Sequence, residues 1–139
     1  MNNKTIISGI IGGVAFFLLG WLIYGMMLDS FMKENMSQAV ARKMEEMVWW
    51  ALILSCFVNG YFLSLMLGWS NTQSMSIGLQ KGAIIGLLIG LGMDLGMHAM
   101  STVFLNMNAL IVDVAACTVM NAIVGGIIGM IMGMGKKTA

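Results

Sequence analysis

Apolar residues fill four long stretches of this chain, at residues 5–28, 48–68, 82–100 and 109–134, and polar residues are concentrated between them. Each stretch is close to the ~20 residues that an α-helix needs to cross ~30 Å of hydrocarbon. Helices are expected because backbone polar groups inside a bilayer must be satisfied within their own segment. The pattern predicts an all-α membrane protein in which residues 1–139 form one domain, an antiparallel four-helix transmembrane bundle.

The polar segment between the first two stretches carries apolar residues at nearly helical spacing, with charged residues between them. These apolar positions are Met32, Met36, Val40, Met44 and Met47. Such spacing predicts a short amphipathic helix in the first loop, lying on the membrane surface or over the end of the bundle. Two roles stay open for this helix, a connector into the second span or a docking site for a partner protein.

Composition supports a membrane protein and excludes other classes. The chain is 59% hydrophobic and only 9% charged, whereas a soluble domain carries roughly 25% charged residues. A net charge of +1 excludes the broad basic surface that binds nucleic acid. The 17 methionines are interpreted as flexible apolar filling. The first apolar stretch is longer than the core of a signal peptide and is predicted to be a retained span.

Positively charged residues predict the orientation. If both termini are cytoplasmic, then Lys4, Lys81, Lys136 and Lys137 all lie on the cytoplasmic side. The basic residues of the first loop are diluted by acidic ones, and the third loop (101–108) carries no charge. The positive-inside rule therefore favours a multi-pass protein with its N-terminus and C-terminus inside.

Glycines recur every four residues in the last two spans. They are Gly82, Gly86 and Gly90 in the third span and Gly125, Gly129 and Gly133 in the fourth. Residues four apart form an inclined ridge on a helix, and a ridge of small residues lets two helices cross closely. We expect these spans to pack on their glycines. The similar pair Gly9 and Gly13 in the first span is expected to mediate self-association or docking to a larger complex.

Four polar or reactive residues continue the same ridges: Asp94 and His98 in the third span, Asp113 and Cys117 in the fourth. Because the two spans are antiparallel, all four fall in the same half of the membrane. An ionisable residue inside a bilayer costs about 2.5–3.5 kcal/mol on insertion scales, so it needs a partner, a cavity or a function. Two other residues, Tyr24 and Asn59, could face the same layer, although the sequence does not fix their rotation.

Three interpretations of this group compete. In the first, Asp94 and His98 pair across one helical turn, and Asp113 only caps the fourth helix at the positive end of its dipole. In the second, the acids and the histidine form a proton relay. In the third, Asp94, His98 and Asp113 bind a divalent cation, with Met93, Met97, Met100 or Cys117 as a soft donor.

No enzyme signature accompanies these residues. The chain has no GxSxG, P-loop, HExxH or dinucleotide-binding motif, and each of those chemistries needs its residues at a fixed spacing. Any catalytic triad would have to use His98, the single histidine. We therefore predict no catalytic residues, no enzyme activity, and no cofactor other than a possible divalent metal ion.

Several segments, FLLGWLIYGMML, WWALIL, KGAIIGLLIGLGMDL and the glycine-rich end of the fourth span, resemble a group of uncharacterised small bacterial four-span integral membrane proteins, a domain of unknown function. The resemblance implies a bacterial inner-membrane location and no particular activity. We expect a non-enzymatic accessory or structural component of a membrane assembly, surrounded by lipid, as a homo-oligomer or in a larger complex. The alternative is a small proton or divalent-cation binding or transport protein that uses Asp94, His98 and Asp113.

Overall fold

The computed structural model describes residues 3–134, and these residues confirm the all-α four-helix fold. Four segments are long and apolar enough to cross a membrane. They are α1 (Asn3–Leu22) with the π-helical turn Ile23–Met27 that continues it, α3 (Trp49–Trp69), α4 (Met75–Met100) and α5 (Met107–Gly133). The first loop contains the short helix α2 (Asp29–Asn35) and a 3-10 turn (Met44–Glu46). Lys136 and Lys137 lie outside the described residues.

Polar caps, rather than apolar runs, determine where the last two helices begin. Helix α4 begins at Met75, well before residue 82, because the Ser74 side chain accepts a hydrogen bond of 3.3 Å from the Ile77 N–H. Helix α5 follows Asn106, whose side chain accepts a 2.9 Å bond from the Ala109 N–H. Both residues belong to the types that favour a helix N-cap.

Helix α5 is the centre of the bundle. It packs along α4 on one side and against α1 and α3 on the other, while α1 and α3 form a second close pair. Helix α4 makes its extensive contacts with α5 alone, so much of its surface faces outward. We call the end that holds the first and third loops the cap end. The opposite end, with Asn3, the second loop and Met134, is the terminus end.

Helices α4 and α5 approach until their backbones touch. A methyl group added at Gly82 would lie 3.1 Å from the Gly125 Cα, and one at Gly86 would lie 2.8 Å from the Cys117 carbonyl oxygen. The other glycines of the predicted ridges also face the opposite helix or the loop before α4: Gly90, Gly129 and Gly133. This is the close, antiparallel crossing that the four-residue spacing predicts.

The glycines of α1 pack against helix α3 of the same chain. A methyl group at Gly13 would lie 2.8 Å from the Phe57 Cα, and one at Gly60 would lie 2.6 Å from the Gly9 carbonyl oxygen. Helix α3 therefore occupies the surface that Gly9 and Gly13 offer. The expectation that this pair mediates self-association or docking is wrong, because a small-residue motif specifies a close contact without specifying its partner.

Apolar packing and one buried polar contact hold α1 and α3 together and join them to α5. Ser8 and Ser64 share a buried hydrogen bond of 2.8 Å between α1 and α3. The buried apolar cluster where the three helices meet consists of Phe16, Leu63, Leu67, Val124, Ile128 and Met132. Interhelical hydrogen bonds of this kind contribute about 0.6 kcal/mol on average in membrane bundles.

The first loop folds back over the bundle. The predicted amphipathic helix is present but ends at Asn35, and Met36 continues as extended chain that pairs with Phe104 in the third loop. Two backbone hydrogen bonds of 2.8 and 3.0 Å join the two loops. Val40 and Met44 are consequently exposed and do not continue the helix. The backbone groups that a longer helix would have paired internally are paired across the loops instead.

The glycine contact predicts different effects for two glycines of the same helix. Gly86→Ala places a methyl group against α5 and should lower the free energy of unfolding by about 1–3 kcal/mol, as overpacking does. Gly92→Ala is the matched control, because its methyl group would meet no atom within 4 Å. It should be neutral or stabilising by up to about 1 kcal/mol, the helix preference of alanine over glycine. Unfolding in detergent measures both, and equal effects would contradict this contact.

Candidate functional site

The two intramembrane aspartates meet at one depth. Asp94 lies six residues before the end of α4 at Met100, and Asp113 lies six residues after the start of α5 at Met107. At 1.5 Å per residue, both are ~9 Å from the helix ends at the cap end. Their carboxyl groups are close enough to interact electrostatically, and Asp94 is only 9% exposed.

A tyrosine from α1 completes this group. The Tyr24 hydroxyl donates a hydrogen bond of 2.6 Å to Asp113 Oδ1. Tyr24 lies in the π-helical turn, in which the Leu28 N–H bonds to the Ile23 carbonyl oxygen at 2.7 Å. Such wide turns change the direction of the side chains that follow and often occur at functional sites. We call Tyr24, Asp94 and Asp113 the carboxyl layer, in which α1, α4 and α5 converge.

One oxygen atom of the carboxyl layer lacks a hydrogen-bond donor. Asp94 Oδ2 is buried and has no hydrogen-bond partner among the described residues. A buried polar atom left unpaired costs about 1–3 kcal/mol. Ionised carboxylates are acceptors only, whereas a protonated carboxyl group is also a donor. One proton placed on the Asp94–Asp113 pair would therefore supply the missing donor.

A half-open cavity of about 400 Å³ connects the carboxyl layer to the cap end. Tyr24 and Asp113 are part of its wall, and the first loop supplies polar walls from Asp29, Lys33, Ser37, Gln38 and Arg42. A polar cavity of this size has room for ordered water molecules. On the other side of the layer, α4 and α5 are in van der Waals contact, since a methyl group at Gly90 would lie 3.4 Å from the Cys117 Cβ. This cavity gives the layer an opening toward the cap end.

His98 stands apart from the carboxyl layer. Its side chain is exposed near the end of α4. The one ion pair within residues 3–134 joins Lys33 to Asp29 at 2.7 Å. The interpretation that Asp94 and His98 pair is therefore wrong. The neighbour of Asp94 is Asp113, because Asp94 is buried on the ridge of α4 that faces α5 whereas His98 is exposed.

Two other polar residues differ from expectation. Asp113 does not cap α5, since Asn106 occupies that position and the first turn of the helix holds no acid. Asn59 does not face the carboxyl layer, because it is exposed on α3, where its amide donates a 2.9 Å hydrogen bond to the Ser55 carbonyl oxygen. Of the two residues whose rotation the sequence left open, only Tyr24 joins the acids.

The metal-binding interpretation finds no assembled ligand set in the part of the chain that is described. No group of three or more His, Cys, Asp and Glu side chains there lies close enough to hold a metal ion. Met97 is exposed on α4. Cys117 lies one turn from Asp113, with its sulfur 3.5 Å from the Asn121 amide nitrogen. A divalent-cation site stays a prediction.

The loop residues that line the cavity were missed by sequence reasoning. From the sequence, Lys33, Gln38 and Arg42 are interpreted as solvated loop residues, because no sequence pattern indicates that the first loop pairs with the third. The one available signal is the apolar run at 103–105 inside a short loop. That run pairs with the first loop and fixes it above the carboxyl layer.

Comparison of the chain with protein-family models, with curated proteins and with solved structures gave no match. The class of the protein follows from its own helices. Four segments that are long and apolar enough to span a bilayer make it a multi-pass membrane protein, and its function has to be argued from the carboxyl layer.

The hydrogen bond between Tyr24 and Asp113 predicts an energetic coupling. In a double-mutant cycle of Tyr24→Phe and Asp113→Ala, the free energies of unfolding should be non-additive by about 0.5–3 kcal/mol, because each substitution removes the same contact. Unfolding of the four proteins in mixed micelles measures the coupling. Tyr24→Phe combined with Glu45→Ala is the control and should be additive, since Glu45 is exposed in the first loop. Additivity in the Asp113 cycle would contradict the contact.

Proposed function

We propose that this chain is a non-enzymatic, proton-transporting membrane protein whose proton-binding site is the Asp94–Asp113 pair. The observation that carries the proposal is the buried Asp94 Oδ2, which faces a second carboxyl group and lacks a donor. Two carboxylates that share a site cannot both ionise without a large electrostatic penalty. Ionisable residues kept inside a membrane commonly belong to proton pathways.

The cavity gives the pair its route to water. Asp113 borders the cavity and Asp94 lies behind it, so a proton that arrives through water reaches Asp113 first and Asp94 second. The Tyr24 hydroxyl donates a hydrogen bond to Asp113 Oδ1 and thereby orients its carboxyl group. Release toward the terminus end requires the α4–α5 contact beyond the layer to loosen. The described arrangement corresponds to the state that is open at the cap end, in an alternating-access cycle of the kind that transporters use.

We place the protein in the bacterial inner membrane, with both termini inside. Lys4 and Lys81 belong to the terminus end, whereas the basic residues of the first loop are accompanied by acidic residues. The positive-inside rule then makes the terminus end cytoplasmic. In this orientation the cavity opens to the outside, and protons enter from there.

A second candidate is an accessory component of a larger membrane assembly. Val40 and Met44 are 66% and 70% exposed in the first loop. They lie outside the segments that could span lipid and close in sequence to Arg42 and Lys43. Large apolar side chains displayed among charges favour contact with another protein. This candidate requires a second chain, so it is separated from the first by whether the purified protein alone moves protons.

Proton transport predicts a specific loss in one variant. Proteoliposomes that contain a trapped pH dye should acidify when a potassium diffusion potential drives protons inward. Asp94→Asn should reduce the rate to that of protein-free vesicles, because the amide keeps the size of the side chain but cannot exchange a proton. Glu45→Gln is the matched control and should keep the full rate, since Glu45 is exposed in the first loop and does not line the cavity.

Two outcomes would overturn the transport proposal. One is a wild-type rate no higher than that of protein-free vesicles. The other is an Asp94→Asn variant that conducts as fast as the wild type while its melting temperature is unchanged.

A further inference from the structure

Helix α3 carries an outward-facing line of residues that do not take part in the buried packing of the bundle. Leu52, Ser55, Asn59, Phe62 and Met66 recur at alternating intervals of three and four. We call this line the α3 seam. All five side chains are exposed or half-buried, and none belongs to the buried clusters of the bundle. Alternating three and four is the spacing with which two helices pack in a left-handed pair.

Asn59 lies at the middle of the seam and of the membrane span. It is ten residues from each end of the helix Trp49–Trp69, at the centre of the hydrocarbon layer. Within residues 3–134, its side chain makes one hydrogen bond, from its Nδ2 to the Ser55 carbonyl oxygen. The second N–H and the Oδ1 make no hydrogen bond within these residues, and the side chain is exposed on the span. Unsatisfied polar groups at this depth are costly, so a partner is expected.

We propose that the α3 seam is the interface of a homodimer in which the two Asn59 amides hydrogen-bond to each other. A second copy related by a two-fold axis along the membrane normal presents the same amide at the same depth. An amide is both donor and acceptor, so two Asn59 side chains satisfy each other. Isologous contacts of this kind are the commonest in oligomers. A single buried asparagine among apolar seam residues also fixes the register of a helix pair.

The other outward surfaces lack this feature. Helix α4 presents Ile84, Leu88 and Met93, which are apolar and suit lipid without a partner. The glycine motif of α1 already contacts α3. The α3 seam therefore combines an exposed helix surface with a polar side chain, Asn59, that a second copy of the chain would satisfy at the same depth.

Disulfide cross-linking in native membranes tests the dimer. The background carries Cys56→Ala and Cys117→Ala, which removes both native cysteines. Ser55→Cys and Phe62→Cys, each added singly, should give covalent dimers after mild oxidation, because seam positions face their own counterparts. Leu54→Cys is the matched control. It is 54% exposed at nearly the depth of Ser55 but points about 100° away from it on the helix, and it should stay monomeric.

A second substitution connects the cross-link to the amide. Asn59→Leu added to Ser55→Cys should reduce the dimer band several-fold, whereas Asn59→Gln should retain it. The monomer should keep its melting temperature in both, since Asn59 is exposed in the bundle. Equal cross-linking at Ser55 and Leu54, no cross-linking at Ser55 and Phe62, or a dimer band that Asn59→Leu leaves unchanged would overturn the proposal. Unfolding of the Asn59→Leu monomer would also overturn it, by assigning the amide a role within the chain.

Discussion

The structure depends on the backbone contact between α4 and α5. Lipid surrounds helices with groups as apolar as their own side chains, so helix association there relies on close packing and polar contacts. Glycines at intervals of four supply the packing, and the next positions of the same ridges carry Asp94 and Asp113. The glycine contact therefore brings the two acids together. If a larger residue separated the helices, the carboxyl groups would part and water would enter between them.

Helix α5 connects this contact to the rest of the bundle. Its glycines contact α4, and Val124 and Ile128, each adjacent to one of these glycines in sequence, are fully buried in the cluster with α1 and α3. Tyr24 reaches Asp113 from α1, so α5 positions both of the other helices that bound the carboxyl layer. The folded first loop then covers the layer without sealing it, which leaves the acids buried in the protein and reachable by water from one end.

Much of the fold could be predicted, because hydropathy and a four-residue period are local signals. The spans, the glycine crossing and the common depth of Asp94 and Asp113 all follow from them. The partner of Asp94 could not be predicted, since His98 is one turn away in sequence and no local pattern shows that its side chain is exposed. The π-helical turn that directs Tyr24 and the pairing of Met36 with Phe104 depend on contacts between distant segments. No periodicity reports such contacts.

The proton on the Asp94–Asp113 pair is the claim on which the functional proposal depends, and infrared spectroscopy reads it directly. The chain has three aspartates, Asp29, Asp94 and Asp113, so labelling aspartate with ¹³C shifts only their bands. At neutral pH we expect an isotope-sensitive band of a protonated carboxyl group in the wild type, and we expect Asp94→Asn to remove it while Asp29→Asn leaves it in place. A wild-type spectrum in which all three aspartates are ionised would contradict the shared proton, and with it the proposed proton site.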